Sequence, residues 1–272
     1  MSTVAWFNCF SGIAGDMALG ALLDAGADLE VVEAGLGGLP VSGWRLEVSS
    51  VLRGGLAGTR ALVVLDAADQ PHRPWSVIRD LLDAADLPGR ARARAQAVFA
   101  VLAEAEGRLH GVPPDQVHFH EVGAVDSIVD TVGVCLALES LGVDEVRSSA
   151  VAQGSGTIRA AHGVLPNPAP AVVELFARGG VPAYGLDEPM ELTTPTGAAL
   201  LVALCSGFGP MPAMTVRASG FGAGGRDLAR RANLVQVVVG EEAVPGAGPG
   251  AGASGAAGAA GPAAGAGASG AA

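Results

Sequence analysis

The composition of the chain changes abruptly near Val244, and this change limits how much of the chain can form a hydrophobic core. From 246 to 272 the sequence contains only Gly, Ala, Ser and Pro. A segment without large side chains buries too little surface to offset the entropy that it loses on ordering. We therefore predict a globular domain over residues 1–242 and a disordered Ala/Gly linker or tail over 243–272.

Strand-like and helix-like patterns alternate within the first 242 residues. Strands are predicted at 4–10, 44–52, 57–65, 116–120, 146–153, 157–161, 214–219 and 234–239. Helices are predicted at 17–23, 75–84, 91–110, 122–141, 170–177 and 196–205. The glycines at 54 and 55 predict a hairpin between two of the strands. The pattern favours an α/β or α+β domain, with a mixed sheet and flanking helices.

The charged residues argue against several classes of partner and mechanism. The net charge is −11, and all 16 basic residues are arginine. Phosphate backbones are bound by clustered cations, so we expect no nucleic-acid partner. The absence of lysine excludes a lysine Schiff base and a lysine-containing P-loop.

The cysteines and the apolar segments indicate the cellular setting. Cys9, Cys135 and Cys205 are widely spaced and odd in number, which argues against a disulfide framework or a structural zinc site. No apolar run reaches the ~20 residues that span a bilayer, so we expect no membrane partner. The expected location is the cytoplasm.

Residues 118–130 hold an unusual concentration of metal-ligand side chains. Two of the five histidines of the chain, His118 and His120, lie here beside Glu121, Asp126 and Asp130. Imidazole and carboxylate together suit Ni, Zn, Fe or Mn rather than Ca. If 116–120 is a strand, His118 and His120 point to the same side of it. The alternative is a surface strand whose histidines meet solvent.

Asp126 and Asp130 are four residues apart on a predicted helix, and therefore on one face of it. Their neighbours are apolar on almost all sides. Burying either carboxylate without a partner is costly, and a cation or an arginine would offset that cost. The alternative is an exposed polar stripe formed by Asp126, Ser127, Asp130 and Thr131.

Two further segments offer backbone N–H groups or cations to an anion, and a third segment holds His162. The turn 11–16 follows a strand and opens a helix, a geometry that can bind an anion, although these residues alone favour an ordinary strand-to-helix turn. The run 220–227 ends in Arg226 and Asp227, which suits an anion clamp or a hairpin loop. The loop around His162 leads into a helix and does not discriminate between a site and packing. Cys9 is either a thiolate ligand or a packing residue.

Five segments taken together resemble the LarC family of nickel insertion proteins. They are NCFSGIAGDM at 8–17, HFHEVGAVDSIVD at 118–130, HGVLPNPAP at 162–170, TPTGAALL at 194–201 and GFGAGGRDL at 220–228. The resemblance covers essentially residues 4–240, with the segments in the family's order and at similar spacing. The chain departs from the family pattern at Asn8, where an aspartate is typical.

The resemblance implies that the chain helps to insert nickel into pyridinium-3,5-bisthiocarboxylic acid mononucleotide, which forms the nickel-pincer nucleotide cofactor of lactate racemase and related enzymes. It further implies CTP hydrolysis, with CTP and Mg²⁺ or Mn²⁺ bound by a C-terminal half that this sequence lacks. The implied partners are that substrate, a separate C-terminal LarC-like polypeptide and the apo target enzyme. A homo-oligomer stays an open alternative.

Individual roles are our own assignment within that resemblance. Cyclometallation requires a loosely held Ni²⁺, a base for the ring proton and contacts for the anionic groups of the substrate. The predicted metal ligands are His118, His120, Asp130 and His162. The predicted catalytic carboxylates are Asp16, Glu121 and Asp126. The predicted substrate contacts are Ser11, Gly12, Gly15, Thr194, Thr196, Gly197 and Arg226.

The sequence is also compatible with two functions other than nickel insertion. The missing CTP-binding half favours a metal- or substrate-binding module that has no catalytic activity of its own. Carboxylates and glycine-rich loops alone are also compatible with an unrelated phosphatase-like metalloenzyme.

Overall fold

The computed structural model describes residues 2–66, 73–119 and 124–243. Within these ranges the chain forms seven α-helices and eleven β-strands. The helices are α1 (Gly15–Asp24), α2 (Leu29–Gly37), α3 (Trp75–Ala84), α4 (Gly89–His110), α5 (Val125–Ser140), α6 (Pro170–Gly179) and α7 (Pro195–Leu204). The strands are β1 (Thr3–Asn8), β2 (Trp44–Arg53), β3 (Leu56–Leu65), β4 (Glu145–Ser148), β5 (Val151–Gln153), β6 (Thr157–Ala160), β7 (Gly163–Pro166), β8 (Ala183–Gly185), β9 (Cys205–Phe208), β10 (Met214–Ala223) and β11 (Leu234–Glu242).

A seven-stranded mixed sheet organises the described residues, in the order β2-β3-β10-β11-β1-β4-β9. Strand β1 pairs antiparallel with β11 and parallel with β4. The predicted hairpin is confirmed, because β2 and β3 pair antiparallel around Gly54 and Gly55. Both glycines have positive φ, at 56° and 84°, as a two-residue hairpin turn requires. The predicted mixed-sheet α/β fold is therefore confirmed.

Alternating residues of the central strands form one side of the hydrophobic core. Ala5 and Phe7 of β1 and Val235, Val237 and Val239 of β11 belong to the same core cluster as the buried faces of the helices. Successive strand residues point to opposite sides of a sheet, so one face of the sheet receives the helices. Helix α1 packs across β3, β10 and β11, which places the start of α1 near one end of these strands.

Glycines allow α1 to lie directly on β10. A Cβ at Gly222 would lie 1.7 Å from the carbonyl oxygen of Met17, and one at Gly220 would lie 2.3 Å from that of Ala21. The first four residues of the run 220–227 therefore belong to a strand that is packed under a helix. The prediction of a loop for the whole run is wrong, because β10 continues to Ala223.

Three predicted elements differ from the structure. The strand predicted at 146–153 is two strands in different sheets, since β4 joins the large sheet and β5 pairs with β8. The helix predicted at 122–141 is described from Val125 onward. The segment 116–119 is not a strand: a 3₁₀ turn at Pro114–Gln116 is followed by a single bridge between His118 and Pro74. Residues 120–123 lie outside the described residues, as do 244–272 of the predicted tail.

Helix α2 was not predicted, although its start carries a sequence signal. Asp28 precedes it, and one carboxylate oxygen accepts hydrogen bonds from the backbone N–H groups of Glu30 at 3.0 Å and Val31 at 3.4 Å. Such a cap supplies partners for amides that the helix itself leaves unpaired.

Replacing Asp28 with alanine is expected to lower the free energy of unfolding by about 1 kcal/mol, the usual contribution of an N-cap. Urea unfolding followed by circular dichroism would measure the change. Glu33→Ala, at an exposed position of the same helix, should change stability by less than ~0.5 kcal/mol. Equal stability of the two variants would contradict the capping role of Asp28.

Length and polarity decide whether a helix can cross a membrane. The longest, α4, has 22 residues and carries several arginines and glutamates. Among the residues that the structure describes, no helix combines the length and the apolar character needed to cross a bilayer.

Candidate functional site

The N-termini of three helices meet at one cleft, which we call the aspartate cleft. Helices α1, α5 and α7 each begin at its edge, and β3 contributes part of its wall. The cleft has a volume of about 320 Å³. Its polar lining is formed by Gly15, Asp16, Asp126, Ser127, Asp130, Glu191, Thr194 and Thr196. The fold therefore brings residues from three distant parts of the sequence into one concave site.

Local sequence signals explain why the helices begin at this point. Thr194 caps α7, since its hydroxyl accepts a hydrogen bond from the N–H of Gly197 at 3.2 Å, and Pro195 occupies the first helical position. Asp16 and Asp126 lie in the first turns of α1 and α5. A helix N-terminus carries partial positive charge, which stabilises carboxylates there.

Gly15 sets how closely α1 and α5 approach each other at the cleft. A Cβ on Gly15 would lie 2.8 Å from both Cβ and Oδ2 of Asp130, and 3.1 Å from Cγ2 of Thr196. Only a residue without a side chain leaves room for the Asp130 carboxylate at this position. Gly15 thus fixes the position of Asp130 relative to α1 and α7.

The three aspartates of the cleft are in an unfavourable electrostatic setting. Burial raises the pKa of Asp130 well above its ordinary value, and the nearby charges of Asp16 and Asp126 raise it further. Burial also raises the pKa of Asp16, while the N–H of Met17 and the charge of Arg60 act in the opposite direction. The Oδ1 atom of Asp130 is buried and has no hydrogen-bond partner. A buried acceptor without a partner is costly, so this atom needs a proton or a cation.

The chemistry available to the aspartate cleft follows from that requirement. Carboxylates that repel one another accept either a proton, which removes a charge, or a metal cation, which neutralises several. The surrounding helix N-termini and Arg60 also favour an anionic ligand beside the carboxylates. The described lining can therefore accept a proton or a cation at its carboxylates and an anionic group beside the helix N-termini.

Of the predicted histidine ligands, His118 and His162 do not line the aspartate cleft. His118 is exposed beside the bridge to Pro74. His162 lies in the turn between β6 and β7, and its ring stacks at a tilt on that of His110, with 4.9 Å between the ring centroids. His120 and Glu121 lie outside the described residues. In the described ranges, no three His, Cys, Asp or Glu side chains are arranged to hold one metal ion.

A second cavity, which we call the histidine cavity, adjoins the aspartate cleft. It has a volume of about 330 Å³, and His110, His162, Glu106 and Glu191 are its titratable residues. Glu191 and Pro195 line both spaces. His110, Glu191 and Arg60 lie outside the sequence motifs, and only the fold brings the first two to the histidine cavity and the charge of Arg60 near Asp16.

The predicted substrate contacts separate into two groups. Gly15, Thr194 and Thr196 line the aspartate cleft. The remaining four, Ser11, Gly12, Gly197 and Arg226, are not part of that lining. The hydroxyl of Ser11 donates to the carbonyl oxygen of Ala232 at 2.8 Å, and Arg226 is exposed in the loop after β10.

The turn 11–14 packs so closely against the segment 192–197 that neither Gly12 nor Gly197 has room for a side chain. Gly12 has a φ of +84°, and a Cβ there would lie 2.0 Å from the carbonyl oxygen of Leu192. A Cβ at Gly197 would lie 2.2 Å from the carbonyl oxygen of Ile13. These glycines hold the first strand-to-helix turn against the start of α7, which positions the cleft.

Cys9 is a packing residue in this structure. The side chain is fully buried, and its sulfur lies 3.4 Å from the Ser148 hydroxyl. Burial raises the pKa of the thiol to about 12, although the hydrogen bond from Ser148 acts in the opposite direction. The thiol form therefore prevails at neutral pH, and of the two interpretations of Cys9 the structure supports packing.

Several known proteins are similar to this chain over most of its length. A family model described as nickel insertion protein matches residues 5–256. A putative nickel insertion protein of Geobacter sp. is 49% identical over 241 residues, covering 88% of this chain and 62% of that protein. A pyridinium-3,5-bisthiocarboxylic acid mononucleotide nickel insertion protein of Nocardioides sp. is 48% identical over 248 residues, covering 91% of this chain and 62% of the relative.

A protein of the same name from Geobacillus kaustophilus is 41% identical over 256 residues, covering 90% of this chain and 62% of that protein. The chain thus spans less than two thirds of the length of these relatives. No solved structure matches it.

Proposed function

Because the chain belongs to the nickel insertion protein family, we propose that it inserts Ni²⁺ into pyridinium-3,5-bisthiocarboxylic acid mononucleotide, the substrate that two relatives carry in their names. The observation that carries the proposal is the buried, unpartnered Oδ1 atom of Asp130 between two further aspartates. Such a carboxylate is stabilised by a cation or by a proton, and the insertion of nickel in place of a ring proton supplies both at one site.

The proposed reaction is balanced without a redox step. Nickel bonds to the two sulfur atoms and to one ring carbon of the substrate, the C–H bond at that carbon breaks, and nickel stays divalent. The ring proton goes to a carboxylate of the aspartate cleft. Asp130 suits this role because its raised pKa makes it a stronger base than an ordinary aspartate. This proposal exchanges two roles assigned from the sequence: Asp130, predicted as a metal ligand, takes the proton, and Asp16 and Asp126, predicted as catalytic, share the cation.

The anionic groups of the substrate need partners beside the metal. We propose that the starts of α5 and α7 receive them, with Thr194 and Thr196 at the edge. Arg226 is retained as a contact for the nucleotide phosphate, since it is exposed in the loop after β10. Ser11, Gly12 and Gly197 are proposed to position the cleft rather than to touch the substrate, because each is packed against the backbone.

The histidines keep a proposed role in nickel handling outside the aspartate cleft. His118 is exposed and accessible to an incoming ion, and His162 lies in the histidine cavity. His120 and Glu121 remain proposals from the sequence alone. The reaction is proposed to take place in the cytoplasm, on behalf of an apo enzyme of the lactate racemase type.

The part of the relatives that this chain does not match motivates a second candidate function. Since the chain covers 62% of the length of the Nocardioides relative, it is alternatively a module that binds metal and substrate without turnover. CTP and Mg²⁺ or Mn²⁺ would then act through a separate C-terminal polypeptide.

Reconstitution tests the two functions against each other. The purified chain is mixed with Ni²⁺, the pyridinium substrate and Mg-CTP, with and without the C-terminal part of the Nocardioides relative, and the nickel-bound product is measured by mass spectrometry. We expect product only when the C-terminal part is present. Turnover by the chain alone would eliminate the module. Failure of both mixtures, while the full-length relative is active, would eliminate insertion.

A further inference from the structure

The histidine cavity brings together a pair of imidazoles that are distant in the sequence. His110 is the last residue of α4, and His162 lies in the turn between β6 and β7. Leu109, Ile158 and Leu165 form part of the otherwise largely apolar wall. Imidazole nitrogens that line such a cavity are well suited to bind first-row transition metals.

The spacing of the two rings fits a shared metal ion. Their centroids are 4.9 Å apart and the rings are inclined at 50°. A metal bound to two imidazole nitrogens at about 2.0–2.1 Å, with an angle of roughly 90–110° between them, places the ring centroids about 4.5–5.2 Å apart. The observed separation of the two rings lies within this range.

Glu106 is placed to orient His110. Its Oε2 atom lies 3.3 Å from Nε2 of His110, one helical turn further along α4. Histidines that bind metals usually donate their second ring N–H to a carboxylate, which fixes the tautomer and makes the metal-binding nitrogen more basic. With the proton held on Nε2 by Glu106, the lone pair of His110 lies on Nδ1.

We infer that His110 and His162 form a binding site for a divalent transition-metal ion, with Glu106 as the positioning residue and water completing the coordination. A site with two protein ligands holds an ion loosely and releases it readily. Glu191, which lines both spaces, marks the path from this site to the aspartate cleft. Binding by the histidine pair stands without the proposed function, whereas its role as an entry site for nickel rests on it.

Titration with Ni²⁺ alone tests the site. Isothermal titration calorimetry of the full chain, free of any affinity tag, is compared with His110→Ala/His162→Ala and with Glu106→Gln. We expect the double variant to lose this binding event and Glu106→Gln to weaken it about 10-fold, as is usual for a carboxylate behind a metal-binding histidine. Glu104→Gln is the matched control, since Glu104 lies on the same helix and pairs with Arg178 instead, and it should bind like the parent.

The ligand atoms can be identified with Cu²⁺ as a paramagnetic probe. Pulsed electron paramagnetic resonance should detect imidazole nitrogen in the parent and in Asp130→Asn, and should detect less of it in the double histidine variant. Parent-like Ni²⁺ binding or an unchanged nitrogen signal in the double variant would overturn the inference. Asp130→Asn separates this site from the proposed function, because that variant is expected to keep the nitrogen signal and to lose insertion.

Discussion

Replacing Asp130 with asparagine is expected to abolish nickel insertion and, in the metal-free chain, to raise the melting temperature at neutral pH. Asparagine retains the size of the side chain but cannot accept the ring proton, and it binds a cation weakly. Loss of a positioned base alone costs about 10²–10⁴-fold in rate. The same change removes a buried carboxyl group whose charged form is repelled by Asp16 and Asp126. The folded chain is therefore expected to be more stable, although the reaction loses its base.

The pH dependence of stability follows from the direction in which folding shifts the pKa of Asp130. An unfolded aspartate titrates near pH ~3.9, whereas burial raises the pKa of folded Asp130 well above that value. Between these two pKa values the folded chain binds more protons than the unfolded chain. Stability therefore falls as pH rises through this interval. Calorimetric melting temperatures between about pH 4 and pH 8 should decline more steeply for the parent than for Asp130→Asn.

Asp80→Asn is the control for both measurements. Asp80 lies on α3 with 78% of its side chain exposed, so the same chemical change there should alter neither the insertion rate nor the slope of stability against pH. If Asp130→Asn inserts nickel at the parent's rate, Asp130 is not the proton acceptor. If it melts at a lower temperature than the parent at neutral pH, the carboxylate is stabilised by a partner.

The sequence predicted the parts of the site that depend on local structure. The i, i+4 spacing of Asp126 and Asp130 places both on one face of α5, and the structure places both in the aspartate cleft. The sequence predicts a helix from 196 with either Thr194 or Thr196 as its cap, and α7 begins at Pro195 with Thr194 as the cap. Local hydrogen bonds and helix periodicity determine these features, so no knowledge of distant contacts is needed.

The parts that could not be predicted depend on contacts between distant segments. His110 ends one helix and His162 lies in a hairpin turn, and only the packing of α4 against α6 and α7 brings them together. The strand prediction for His118 failed because the alternating burial of Val117 and Phe119 occurs in an extended segment that makes one bridge only. Hydrophobic alternation reports which side chains face the core and does not report whether a strand partner exists.

Changing Gly15 to alanine is expected to lower the nickel insertion rate about 100-fold while every chemical group of the aspartate cleft is retained. The added Cβ would lie 2.8 Å from Cβ and Oδ2 of Asp130, so Asp130 and the start of α1 must move apart. A displacement of about 1 Å in a reacting group can reduce a rate by 10²-fold. Stability should change far less than activity, because alanine favours the helix by up to ~1 kcal/mol over glycine and offsets part of the strain.

Gly37→Ala separates the displacement of Asp130 from the general effect of replacing a helical glycine. Gly37 is the last residue of α2, and a Cβ there would meet nothing within 4 Å. The control should keep the parent's insertion rate, measured by product formation with Mg-CTP and the C-terminal part of the Nocardioides relative present and with substrate and Ni²⁺ at saturation. Parent-like turnover by Gly15→Ala would show that insertion tolerates a shifted Asp130. If turnover is lost while the fold stays intact, the close contact of α1 and α5 at Gly15 is needed for the reaction. That contact would then position Asp130 to take the ring proton as nickel binds the ring carbon.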